Sequence, residues 1–118
     1  MLGAVRYALL VVFALLVLQG ATSLAARLAA GGEDALHPAL HLASGLVGLF
    51  AGWRGGLGRY ALGFGAGYAL LGVAGLLGFS PAWLPLGPVD HAFHLTLGSV
   101  LAALGAWSSK ARAPAASA

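Results

Sequence analysis

Apolar residues run through this chain in four long blocks, separated by three short segments rich in glycine, proline and charge. The blocks cover Tyr7 to about Ala26, about Leu36 to Trp53, Tyr60 to Phe79, and about Val89 to Trp107. Each is about 18–20 residues, the length that carries an α-helix across a hydrocarbon core about 30 Å thick. The breaks are GGED at 31–34, RGGLGR at 54–59 and SPAWLPLGP at 80–88, which end helices and turn the chain. The pattern therefore predicts an all-α, four-transmembrane-helix bundle. Its helices cover about 5–28, 36–53, 59–79 and 89–108, and residues 110–118 form a small, polar, disordered tail.

The blocks are related in pairs. Displaced by 53 positions, the chain aligns with itself without a gap. RYAL at Arg6–Leu9 falls on RYAL at Arg59–Leu62, and Leu18, Ala21 and Leu24 fall on Leu71, Ala74 and Leu77. His41 and Leu42 fall on His94 and Leu95, Gly45 and Gly52 on Gly98 and Gly105, and His37 on Asp90. This is the signature of two tandem helical hairpins made by internal duplication. Two spans per copy insert both copies the same way up, so the repeat is parallel, with its axis along the membrane normal. The first block, with Arg6 before it and SLAA inside it, also has the look of a secretory signal. Its likeness to the third block, which cannot be one, favours a retained helix.

Within the second and fourth blocks, polar and small residues share one face. Positions i and i+4 of a helix lie together, which pairs His37 with His41 and Asp90 with His94. Each stripe continues with small residues: His41, Gly45, Gly48, Gly52, and His94, Gly98, Leu101, Gly105. Such a stripe lets membrane helices pack closely, so these faces are expected to point into the bundle. His41 then lies about 6–8 Å below the start of its helix, at about 1.5 Å per residue. His91 is about 100° off the stripe and is expected at the interface.

Composition supports the membrane reading. Hydrophobic residues make up 60% of the 118 and charged residues 8%, against about 25% charged in an ordinary soluble domain. The net charge of +3 comes from basic residues scattered singly, which excludes a nucleic-acid footprint. With no cysteine, disulfides, thiolate metal sites and cysteine nucleophiles are excluded. Lipid is the expected partner, together with a second copy of the chain. Arg6, Arg54, Arg59, Lys110 and Arg112 fall on one side of a four-span arrangement. Arg27, Glu33, Asp34 and Asp90 fall on the other. The positive-inside rule then places the chain in a bacterial inner membrane with both termini cytoplasmic. Trp53 and Trp107 at the inner ends and Trp83 in an outer loop fit interfacial aromatic positions.

An ionisable group inside a bilayer is costly unless it has a partner, and it marks a functional site by default. By the repeat, His37, His41, Asp90 and His94 converge near the axis at the extracytoplasmic end. Three imidazoles and a carboxylate suit a transition-metal ion, zinc or copper first. Two i, i+4 pairs on facing helices are a sound way to build such a site in a bundle. A second reading uses His41 and His94 alone as axial ligands of a haem b. A third gives the histidines only interhelical hydrogen bonds, with Asp90 as a helix cap. Gln19, Thr22 and Ser23 reach the same level as supporting donors, and Tyr68 is read as packing. No nucleophile–base set, phosphate loop or dinucleotide motif points to an enzyme; GFGAG at 63–67 lies inside an apolar helix and is a packing pattern.

The two motifs, Leu36-His37-Pro38 with His41-Leu42 and Gly45, and Asp90-His91 with His94-Leu95 and Gly98, resemble those of a family of small bacterial membrane proteins, domain of unknown function 4383. The likeness covers about residues 5 to 107. Pro38 and His91 stand where that family tends to have asparagine. The resemblance implies four helices and paired motifs, and it carries no assigned activity.

The orientation is checked by cysteine labelling of intact cells. A cysteine at Ser80 should react with an impermeant reagent and one at Ser109 should not; equal labelling from outside contradicts the topology.

Overall fold

The structure, a computed structural model, describes the backbone of residues 2–112 and the side chains of residues 3–109. It is all-α. Its four helices are α1 (Leu2–Ala29), α2 (Leu36–Arg54), α3 (Leu57–Leu76) and α4 (Pro88–Arg112). Three of them end alike. Gly31, Gly55 and Gly78 take φ of 114°, 90° and 92°, and the next residue donates its N–H five residues back: Gly32 to Arg27 O, Gly56 to Ala51 O, Phe79 to Ala74 O. This is the Schellman stop, which needs a left-handed residue and hence favours glycine. It ends α3 at Leu76, three residues before the expected boundary. At the other end of the chain, α4 runs past the expected 108 to Arg112, because Pro114 is the first breaker after it. The rest of the expected tail, 113–118, lies outside the described residues.

α1 packs along α2 and α3 along α4, and the two hairpins meet through α1 with α4 and α2 with α3. The contact inside each hairpin is glycine against backbone. A Cβ on Gly20 would lie 2.5 Å from Leu42 N and 2.9 Å from Pro38 O; one on Gly72 would lie 2.5 Å from Leu95 N and 2.6 Å from His91 O. Gly45 likewise abuts Phe13 O and Val17 N, and Gly98 abuts Gly65 O and Ala69 N. All four positions are buried, as are the rest of both expected stripes: His41, Gly48 and Gly52, and His94, Leu101 and Gly105.

Matching contacts in the two hairpins do not all keep the 53-residue offset expected from the sequence. Leu42 and Leu95 are 53 apart, as expected, but Gly20 and Gly72 are 52 apart, and so are Phe13 and Gly65. Equivalent contacts thus need a one-residue gap between the first and second helix of the hairpin, where the ungapped alignment had none. The repeated RYAL word is therefore one residue out of structural step. Arg6 donates from Nη2 to Gly52 O at 2.9 Å, at the C-terminal end of α2 where a cation is favoured. Arg59 is exposed.

The apolar core lies away from the histidines, around Leu9, Phe13, Leu57, Ala61 and Leu101. Tyr60 crosses it, stacking on Phe64 and donating its hydroxyl hydrogen to Ser44 O at 2.7 Å. Much large apolar surface faces outward instead: Leu15, Leu18, Leu46, Phe50, Leu70 and Val100 are all about half exposed or more. By length and composition, α1 over Gly3–Ala29 is apolar enough to cross a membrane, with a mean hydropathy of 2.2. The other three helices fall short of that test. Their glycines, with the histidines of α2, Arg59 and the tyrosines of α3, and the histidines, Asp90 and serines of α4, lower their mean hydropathy.

The close approach predicts a sharp contrast between glycines. Gly98→Ala overpacks the α3–α4 contact and should destabilise the fold by about 1–3 kcal/mol. Gly63→Ala meets nothing within 4 Å and should be neutral, or stabilising by up to about 1 kcal/mol through helix propensity. Thermal melts in mild detergent compare the two; equal melting temperatures contradict the contact.

Candidate metal centre

α2 and α4 stand on a diagonal of the bundle. Among the described residues no Cα of one comes within 8 Å of the other, and the gap between them is bridged by histidine rings. His37 and His41 come from the first turns of α2. Pro38 fits there because the missing N–H is one that no helix bond would use. His94 comes from the second turn of α4. The ring centroids lie 4.4 Å apart for His37–His41, 5.4 Å for His37–His94 and 5.9 Å for His41–His94. One nitrogen from each ring lies within 4.8 Å of the others, so the three can hold a metal ion. His41 and His94 are 4% and 1% exposed, and His37 is half-buried.

Hydrogen bonding leaves these rings incomplete. His41 Nδ1–H donates to Gln19 Oε1 at 2.7 Å, across the α1–α2 contact. The amide of Gln19 is itself held, donating from Nε2 to Ser23 Oγ at 3.1 Å. That assignment follows from chemistry: an amide oxygen only accepts, so Nδ1 carries the proton and Nε2 of His41 is left with a lone pair. His41 Nε2, His37 Nε2 and His94 Nδ1 are all buried without a hydrogen-bond partner. Buried polar atoms are normally paired, and each exception calls for an explanation. A metal-ligating histidine typically donates its other N–H to a neighbour that fixes the ring, as Gln19 does for His41.

Asp90 is placed differently. Its Oδ2 accepts from Gly87 N–H at 2.8 Å, the reach-back bond of a capping box at the start of α4. It shares with His37 the lining of two cavities at this end, but it is not one of the three clustered residues. His91, expected at the interface, is buried (8% exposed) instead. Its ring lies on Gly75 of α3, in the space a Cβ there would take. Thr22 bonds within its own helix, to Leu18 O and Gln19 O, and does not join the site. Tyr68 packs on His94 at 4.6 Å and His41 at 6.0 Å, closing the cluster from the α3 side. His37 packs edge-on against both His41 and His94, the two rings that the haem reading takes as axial ligands.

Two cavities reach the cluster from the bundle end. One of about 200 Å³ is lined by Gln19, Arg27, His37, His41, Asp90 and Phe93. Another, of about 480 Å³, is lined by Arg27, Asp34, His37, Trp83 and Asp90 among others. Arg27 donates from Nη1 to Asp34 O at 3.0 Å and lies 4.0 Å from its carboxylate, which ties the first loop across the mouth.

No family model, curated protein or solved structure matches the chain.

Gln19 is the residue whose loss the geometry makes most readable. Gln19→Ala leaves a buried N–H of His41 unpaired and should cost about 1–3 kcal/mol, whereas Gln19→Glu keeps an acceptor and should retain most of that stability. Denaturation of the two variants in detergent checks this; identical losses contradict the bond.

Proposed function

We propose that this is a multi-pass bacterial inner-membrane protein that holds a divalent transition-metal ion on His37, His41 and His94, at the extracytoplasmic end of a four-helix bundle. One observation carries the reading. Three buried histidine nitrogens, two from α2 and one from α4, lack hydrogen-bond partners, in residues whose ligand atoms lie within 4.8 Å of one another. His91 Nδ1, outside the cluster, is unpartnered too, so it is the convergence of the three rings together with their unpaired nitrogens that favours a metal ion over interhelical hydrogen bonds. Imidazole donors without thiolate suit zinc or copper. Tetrahedral coordination at about 2.0–2.1 Å sets neighbouring nitrogens about 3.4 Å apart, inside the 4.8 Å within which the three ligand atoms already lie.

The membrane placement is supported by the outward-facing leucines, valines and phenylalanines, by the apolar α1, and by charges confined to helix ends. Trp53 and Trp107 lie exposed at one end of the bundle and Trp83 at the other, as interfacial anchors do. The paired glycine contacts support descent from a duplicated hairpin, with one residue inserted in one copy.

Purification in mild detergent followed by elemental mass spectrometry tests the metal reading. Wild-type protein should carry close to one zinc or copper per chain, and His94→Ala should lose it with the helices intact by circular dichroism. Absence of metal from wild-type protein, with no uptake and no thermal stabilisation on adding zinc or copper, contradicts it. A Soret band would instead revive the haem alternative.

A further inference from the structure

Three neutral imidazoles leave a divalent ion with its whole charge, and the surroundings add to that charge. α2 and α4 both begin beside the cluster, so the positive ends of two helix dipoles face it. Arg27 lines both cavities above it. Two carboxylates line the larger cavity, and both are engaged: Asp34 beside Arg27, and Asp90 through Oδ2 to Gly87 N–H. A tetrahedral ion on three protein nitrogens also has one coordination position unfilled, the arrangement of catalytic rather than structural zinc sites. That position has access from outside, because His37 and His41 line the cavity of about 200 Å³ that shares Arg27, His37 and Asp90 with the larger one at the bundle end.

We infer that the centre is an open one, whose fourth ligand is a small exogenous anion with an oxygen or nitrogen donor, admitted through the Arg27–Asp90 cleft. The inference rests on the three-histidine metal reading above. Charge makes the demand and the cleft sets the size: a few-atom monovalent anion such as a short carboxylate fits, and a macromolecular ligand does not. Arg27 at the mouth draws anions in and Asp90 opposes them, so the two residues set the affinity in opposite directions without touching the ion.

Cobalt(II), with azide as the probe, tests this on the full chain in detergent. Cobalt should give the visible bands of a four-coordinate ion, and azide should shift them saturably with one-to-one stoichiometry. Arg27→Gln should raise the half-saturating azide concentration several-fold and leave cobalt uptake unchanged. Asp90→Asn, whose amide oxygen can still accept from Gly87, should lower it several-fold. If cobalt bands form in wild-type protein but azide moves them only after Asp90→Asn, Asp90 is itself the fourth ligand; the open site is then overturned while the metal reading stands. If wild-type protein gives no cobalt bands at all, the metal reading fails and the anion site with it.

Discussion

Within each hairpin the helices meet backbone to backbone, because glycine stands wherever a side chain would hold them apart. Gly20 and Gly45 bring α1 against α2, and Gly72 and Gly98 bring α3 against α4. The rest follows from that closeness. Helices that touch through glycine bury little side-chain volume between them, so their large apolar residues are turned outward. Such a surface is a liability in water and a match for lipid, where packing of small residues rather than the hydrophobic effect holds helices together.

The same contact shapes the site. Because each helix is drawn to its hairpin partner, α2 and α4 remain apart on the diagonal, and the space between them at one end is wide enough for three imidazoles. These side chains are placed by rigid elements, the first two turns of two helices, and closed in by Tyr68 and Phe93. Gln19, from a third helix, sets the tautomer of His41 and so decides which nitrogen faces its neighbours. The outcome is a polar cluster whose supports are satisfied and whose inward nitrogens are not, which fits the proposed cation site.

Much of this was legible in the sequence. Block length and the turn segments placed four helices to within a few residues, and the i, i+4 stripes identified the buried face of α2 and α4 down to Gly52 and Gly105. What periodicity could not reach was anything set by a partner helix. The one-residue step between the hairpins is invisible to sequence identity, because RYAL matches RYAL while the backbones pack in a different register. His91 reads as interfacial from its own helix and is buried only because Gly75 on α3 leaves room for its ring. Asp90 reads equally as ligand or cap, and the Gly87 N–H three residues before it makes the local bond. Gln19 did carry a signal, a lone amide in an apolar helix, but nothing in the sequence said which histidine it would meet.

The central claim is that three histidines from the two hairpins share one ion, and X-ray absorption at the metal edge of the loaded protein addresses it most directly. The account predicts a first shell with three imidazole nitrogens at about 2.0–2.1 Å for zinc, with the outer-shell scattering of imidazole rings, falling to two in His37→Ala. A first shell without imidazole scattering, or one unchanged by that substitution, would contradict it.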